Sequence, residues 1–297
     1  MDAKILEKYK KAGQIAAHVR AETEKKLKPG MKLLEIAEFI ESSIRKKGGE
    51  PAFPVNLSLN EIAAHYTPVY KDETTVEAGD LLKIDIGVHV DGYIGDLAFT
   101  WCSEKNPLIK AAEKCLGIGI KVSKPGVTVS ELGKAIEDAS KEQGIGLIMN
   151  LTGHTLDKFK FHGDPIIPNK ETGNTHAFKE GDIIALEPFT VESNGWVNES
   201  APTEIYKHVM DRPVRLKEAR EILLMGRDQF HSLPFAKRWL YDKYSPVKVA
   251  MSLRQLEAAY AVEGFPVLKE KDGKKIAQAE HTIIVGEKPL VTTELKD

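Results

Sequence analysis

Cysteine is nearly missing from the chain: Cys102 and Cys115 are the only two in 297 residues. A disulfide framework is therefore not expected, and a reducing compartment suits the sequence better. Long apolar runs are missing too, since no stretch approaches the roughly 18 residues that a membrane span needs. The opening Met1-Asp2-Ala3-Lys4-Ile5 is charged and helix-patterned, with no apolar signal core. Neither sign of charge dominates. A formal net charge of −2 gives no global field to recruit nucleic acid or an anionic membrane. These absences predict a cytoplasmic protein. What is present is a globular composition, 42% hydrophobic and 29% charged, long enough for one large domain or two ordinary ones.

The chain repeats itself. Lys28-Pro29-Gly30 recurs as Lys124-Pro125-Gly126, a shift of 96, and the same shift matches Glu35 with Glu131, Ile40 with Ile136 and Gly48 with Gly144. Each copy is a Pro-Gly turn followed by an amphipathic helix that ends at glycine, with a further helix before it over about 3–27 and 107–123. Later, Gly79-Asp80 and Gly181-Asp182 each launch an apolar strand that finishes on a carboxylate, Asp85 and Glu187. Several echoes in one order predict two related halves in a pseudo-symmetric α+β domain, each with helices followed by strands.

Residues 208–263 interrupt the pattern. They predict three helices, about 214–230, 234–243 and 247–262, followed by a strand pair, Val267–Glu270 and Ile276–Val285, turned at Asp272-Gly273. Ten Lys/Arg against seven Asp/Glu is a weak excess for a DNA-binding role. The segment reads instead as an insertion on the two-half scaffold.

The stretch Leu82 to Asp96 alternates and contains Asp91-Gly92, a strong two-residue hairpin turn. With that turn, opposing residues sum to 183, so Asp85 and Asp96 share one face as diagonal neighbours at roughly 7–8 Å. Gly87 and Ala98 lie on the same face and leave room beside them. Pseudo-symmetry brings Glu187 to the place of Asp85, and Gln278-Ala279-Glu280 resembles Ile94-Gly95-Asp96, so Glu280 matches Asp96. Four converging carboxylates demand cations, and two divalent ions roughly 3.5–4 Å apart are the natural answer. Among nine histidines, His154 and His162 lie close in sequence, and His65 is the first half's approximate counterpart of His162. His18, His89, His208 and His231 have no supporting context, and His281, beside Glu280 in a strand, points to the other face. A mixed oxygen and imidazole set suits Mn, Fe, Co or Zn better than Ca or Mg.

Several stretches resemble type II methionine aminopeptidases, metallopeptidases of the pita-bread fold. They include Ala52-Phe53-Pro54-Val55-Asn56, Asn60 through Pro68, Lys83-Ile84-Asp85-Ile86-Gly87, Leu151-Thr152-Gly153-His154, Ala185-Leu186-Glu187-Pro188-Phe189, Leu233-Pro234-Phe235 with Arg238-Trp239, and Ala277 through Thr282. The match covers essentially the whole chain, and the absence of a long N-terminal extension resembles the archaeal form. The resemblance implies a pseudo-two-fold α/β (α+β) pita-bread fold, with a catalytic domain of 1–207 plus 264–297 and an inserted helical subdomain at 208–263. It implies Asp85, Asp96, His154, Glu187 and Glu280 as ligands of two divalent metal ions per chain (Co, Mn, Fe or Zn). It further implies His65 and His162 as catalytic, substrate-contacting groups, Glu187 as proton shuttle, and Phe53, Phe161 and Phe265 as walls of a methionine pocket. The implied activity is removal of the N-terminal methionine from nascent polypeptides with a small second residue. The ribosome is a candidate partner; membrane and direct nucleic-acid binding are not expected, and a monomer is. Two positions depart from the pattern: Gly163 followed by Asp164, where alanine usually follows the second site histidine, and Ala279, where phenylalanine usually precedes the last glutamate. Proline dipeptidases share the ligand types but normally carry an additional N-terminal domain. A metal-free relative that binds protein or RNA would be expected to lack one or more of the five ligands.

Overall fold

The computed structural model describes residues 1–295. Helix α1 (Ala3–Glu24) starts where the Asp2 carboxylate accepts from the Lys4 N–H, and the Pro29-Gly30 turn leads into α2 (Leu33–Lys46). The second half repeats this with α3 (Pro107–Val122), which has proline in its first turn, and α4 (Val129–Lys141), opened by a reciprocal Thr128/Glu131 capping box. The duplication extends to individual hydrogen bonds. Gly30 N–H donates to the Val76 carbonyl at 2.7 Å and Gly126 N–H to that of Phe178 at 2.8 Å, while Leu33 donates to Thr74 and Val129 to His176, both at 2.9 Å. Both Gly-Asp turns close alike, with the Asp80 and Asp182 carboxylates accepting from Glu77 N–H and Lys179 N–H at 2.8 Å.

The strands that matter for the site are β1 (Asn56–Leu59), β2 (Leu82–Val90), β3 (Tyr93–Trp101), β4 (Thr152–Asp157), β5 (Lys160–Pro168), β6 (Ile183–Leu186), β7 (Val197–His208), β8 (Val262–Glu270) and β9 (Glu280–Ile284). They form two separate sheets. The central sheet has nine strands and runs β2-β3-β9-β6-β4-β5, with Glu50–Pro51 and β1 against β2 and Leu290–Val291 against β9. β2 and β3 pair as the Asp91-Gly92 turn requires, Asp85 opposite Ala98 and Gly87 opposite Asp96. β9 lies between β3 of the first half and β6 of the second, so a strand from late in the chain joins the two halves. One helix pair seals each half from behind: Ile36 and Ile40 pack with Ile84 and Ile86, and Leu116 and Leu132 with Ile184 and Leu186. The second sheet pairs β7 with β8, flanked by Phe235–Ala236 and Ile62–Ala64. No helix among the described residues is long and apolar enough to cross a membrane.

Two local expectations fail. The strands on either side of Asp272-Gly273 do not form a hairpin: β8 pairs with β7, whereas β9 lies in the central sheet. The turn itself exists, closed by the Glu270 carboxylate accepting from Asp272 N–H at 2.8 Å and Lys274 N–H at 3.0 Å, but the chain leaves it for another sheet. The three helices expected within 208–263 are also shorter. α5 (Lys217–Leu224) runs on into a π-turn over Met225–Gln229, a 3₁₀ helix covers Lys237–Asp242, and α6 (Pro246–Ala258) stops early. Tyr260 takes a left-handed φ of 54°, which ends the helix and aims the chain into β8. Pro234 does not start a helix, because Phe235 and Ala236 pair with β7.

One buried network ties this segment to the first half. The Arg238 guanidinium bonds the Glu41 carboxylate of α2 and the Thr67 hydroxyl, and the Trp239 indole N–H donates to Glu41 at 2.9 Å. Glu41 and Arg238 are both buried, so removing one strands the other in a medium that penalises an unpaired charge. Arg238→Met should cost about 3–5 kcal/mol in urea denaturation, and Glu41→Leu added to it should restore much of the loss. A surface-like cost below about 1 kcal/mol would show the pair to be solvated.

Candidate metal centre

The expected site residues gather around one cavity of about 270 Å³, which is lined by all of Phe53, His65, Asp85, Asp96, His154, Phe161, His162, Glu187, Phe265 and Glu280. Asp85 and Asp96 come from the β2–β3 hairpin, Glu280 from β9, His154 from β4, and Glu187 from just beyond β6. Asp96, His154 and Glu280 each place a ligand atom within 4.8 Å of the others. The His154 Nε2 stands 3.9 Å from Asp96 Oδ2 and 3.8 Å from Glu187 Oε1.

Tautomer and charge decide what this arrangement is for. The His154 Nδ1 faces the Thr155 carbonyl at 3.3 Å, and a carbonyl only accepts, so the proton sits on Nδ1 and a lone pair on Nε2. Burial holds the ring neutral, its pKa lowered to about 4. A lone pair thus points at two carboxylates. Those carboxylates are crowded as well: burial first, then mutual repulsion, lifts Asp96, Glu187 and Glu280 well above the ordinary range, and burial raises Asp85 to about 7. The Asp85 and Asp96 Oδ1 atoms are buried with no hydrogen-bond partner. Buried acceptors that lack donors are costly, and cations satisfy all of them together. The donor set fits a divalent metal.

Surrounding side chains hold the ligands. The Gln278 amide reaches Glu187 Oε2 at 3.3 Å and Glu280 Oε2 at 3.5 Å. The Thr282 hydroxyl accepts from Asp96 N–H at 2.7 Å and donates to the Asp96 carbonyl at 2.9 Å. The Asn56 side chain accepts from His65 N–H at 2.6 Å, steadying a residue with a φ of 64°. Sequence reasoning missed these three; Gln278, two residues before Glu280, could have been found by strand periodicity. Another expectation needs correction. The room above Gly87 is filled by the Phe53 ring, only 2.3 Å from where a Cβ would stand, so this glycine serves the apolar wall rather than the cations.

The remaining residues form the cavity's walls. The Phe53 and Phe161 rings lie 5.4 Å apart, and Phe265 stands 5.5 Å from His65 and 6.5 Å from His162. β7 and β8 bring Ile205 opposite Phe265, so the second sheet closes the cavity over the first. His65 and His162 are neutral: burial lowers His65 to about 4, and burial aided by His154 lowers His162 further. The departure at Gly163 has a local cause, since a Cβ there would lie 2.4 Å from the Thr155 hydroxyl.

A buried cage of carboxylates and imidazole beneath an apolar cavity defines a metal-dependent enzyme. The chain belongs to metallopeptidase family M24, whose profile matches residues 7–287. It is 47% identical to the methionine aminopeptidase of Pyrococcus abyssi over 97% of this chain and 99% of that one. Among solved structures it resembles a thermophilic Arx1 (TM-score 0.87, 17% identity, 100% of this chain and 92% of the other). It also resembles a methionine aminopeptidase from Thermotoga maritima (TM-score 0.71, 22% identity, 99% and 98%). Both likenesses bear on the fold alone, which is the expected two-half architecture.

The raised carboxylates give the metal-free protein a defined pH response. Their folded-state values lie above the unfolded ones, so their stabilising contribution is fully present below the ordinary carboxylate range. It is lost as pH rises through the folded values, for Asp85 from 3.8 toward about 7. The buried neutral imidazoles act in the opposite sense over the same range, so the carboxylate contribution is read as a difference: in urea titrations the stability of chelator-stripped protein relative to its Asp85→Asn variant should fall between about pH 4 and pH 7. A difference that climbs over this window would contradict the buried-charge account.

Proposed function

We propose that the chain is a methionyl aminopeptidase that removes the N-terminal methionine from polypeptides carrying a small second residue, using two divalent ions drawn from Co, Mn, Fe or Zn. The observation that carries this reading is the convergence of the five ligand-type side chains with three phenylalanines and two neutral histidines around a single small cavity. Asp85, Asp96, His154, Glu187 and Glu280 would hold the ions. Divalent ions so held supply Lewis acidity toward a carbonyl and lower the proton affinity of water.

The chain's own residues do the rest. Glu187 borders the cavity, where its carboxylate would take up a proton and return it to the leaving amine. The His65 Nδ1 donates to the Pro266 carbonyl at 3.1 Å, which leaves Nε2 as an acceptor suited to a substrate N–H. His162, neutral and with no hydrogen-bond partner among the described residues, can donate its ring N–H to the developing oxyanion. Phe53, Phe161 and Phe265 surround a side chain that is long, unbranched and apolar. The cavity's small size excludes a bulky second residue. Residues 1–207 with 264–297 would be the catalytic domain, and 208–263 an inserted subdomain with its own core around Ile222, Phe235 and Leu253. Nascent chains are the natural substrates, with the cytoplasm as the site of action and the monomer as the working form.

The deciding assay compares Met-Ala-Ser with Xaa-Pro peptides on metal-loaded protein. Cleavage of the first and not the second is expected; the reverse would assign a proline dipeptidase, and neither would remove the enzymatic reading. Glu187→Gln should lower kcat by about 10²–10⁴-fold with the fold intact by circular dichroism. His162→Ala should cost about 10²–10³-fold.

A further inference from the structure

Behind the central sheet, on the face opposite the metal centre, lies a second cavity of about 360 Å³. It sits between β3, β9 and α3, and the C-terminal segment after β9 forms one lip. Two small residues create it. Ala279 stands immediately before Glu280, and Gly117 lies in the middle of α3, where an added Cβ would meet nothing within 4 Å. Phe99, Leu116 and Ile120 complete an apolar floor. Water in such a space finds few of the partners it needs, whereas apolar cavities of this kind bind small organic molecules.

Thr100 and Gln278 line part of this space and bond each other, the Thr100 hydroxyl donating to the Gln278 carbonyl at 2.8 Å. The His281 ring lines the cavity with its Nδ1 engaged by the Thr293 hydroxyl at 2.8 Å, and its Nε2 has no hydrogen-bond partner among the described residues. The rim carries both signs of charge. Arg20 lies over the Phe99 ring at 4.8 Å and pairs with Glu24 at 3.1 Å, while Lys121, Glu113 and Glu294 stand around the mouth. Balanced rim charges give no net attraction to an anion or a cation.

We propose that this rear cavity is a second ligand site, shaped for a small neutral molecule with an apolar body and a single hydroxyl that hydrogen-bonds His281. A hydroxyl both donates and accepts, so it satisfies Nε2 in either tautomer. The site is separate from the metal centre and does not depend on the aminopeptidase reading. Its ligand would press against Ala279 and His281, the residues on either side of Glu280.

Phenol is the probe, with toluene as the equally sized molecule that lacks the hydroxyl. Calorimetric titration of the metal-loaded protein should show saturable phenol binding, with toluene about fivefold weaker for want of one hydrogen bond. A phenol-soaked crystal should show the ring between Gly117 and Ala279. Gly117→Leu and Ala279→Phe, on separate elements, should each weaken phenol at least tenfold while leaving peptide cleavage unchanged. Phenol bound only in the metal-side cavity would survive both variants and compete with substrate, which would overturn the proposal. So would a soaked crystal with an empty rear cavity. Should either variant fail to fold, the soak of the unaltered protein still decides.

Discussion

Repulsion among buried carboxylates is the constraint on which the rest of the structure depends. Asp85, Asp96, Glu187 and Glu280 are brought together in a space that water barely reaches, with an imidazole lone pair aimed at two of them. Left to itself such a cluster would protonate or push its strands apart. The fold resists by drawing three of the charges from paired strands of one sheet and the fourth, Glu187, from just beyond the end of β6. Asp96 shows how firmly: its own N–H and carbonyl are both bonded to the Thr282 hydroxyl of the neighbouring strand. A rigid frame that stores electrostatic strain is a frame with high affinity for cations, because binding releases that strain without reorganisation.

Duplication explains how one sheet comes to carry so much charge. Each half makes the same Pro-Gly turn, the same bonds from that turn to a later segment, and the same Gly-Asp turn before a strand that leads to a carboxylate. Each half alone would present a carboxylate at the end of its strand. Placed edge to edge with β9 between them, the two halves present theirs to a common point. The second sheet then supplies what symmetry does not. Ile205, Phe265 and the Pro266 carbonyl that fixes His65 all come from β7 and β8, so part of the cavity wall comes from strands outside the duplication.

Where the sequence could be read, local rules had physical force. Asp91-Gly92 set the register of its hairpin because a two-residue turn leaves no slack, and the shift of 96 found the helix pairs because turn chemistry does not tolerate drift. Asp272-Gly273 misled for a related reason. The dipeptide turned as expected, but which strands pair afterwards depends on β7 and on the two halves, partners far away in sequence. The same holds for Arg238, buried against Glu41 of α2; nothing within 208–263 announces that contact. Gln278 and Asn56 escaped because amides that bond the cavity's carboxylates and the His65 backbone carry no charge to mark them.

The two departures from the family pattern separate along the same line between front and back of the sheet. Gly163 follows His162 and yields its Cβ to the Thr155 hydroxyl, which donates to the Asp164 carbonyl at 3.0 Å; the exchange is local and leaves the cavity wall in place. Ala279 has no such replacement. The volume that a larger side chain would fill stays open toward Gly117, on the side of β9 away from the ligands. Because side chains alternate along a strand, a loss of bulk behind Glu280 leaves its carboxylate's neighbours in front untouched. The back of the sheet can therefore vary while the front is held by charge, and an open volume one residue from Glu280 is the kind of freedom that this division permits.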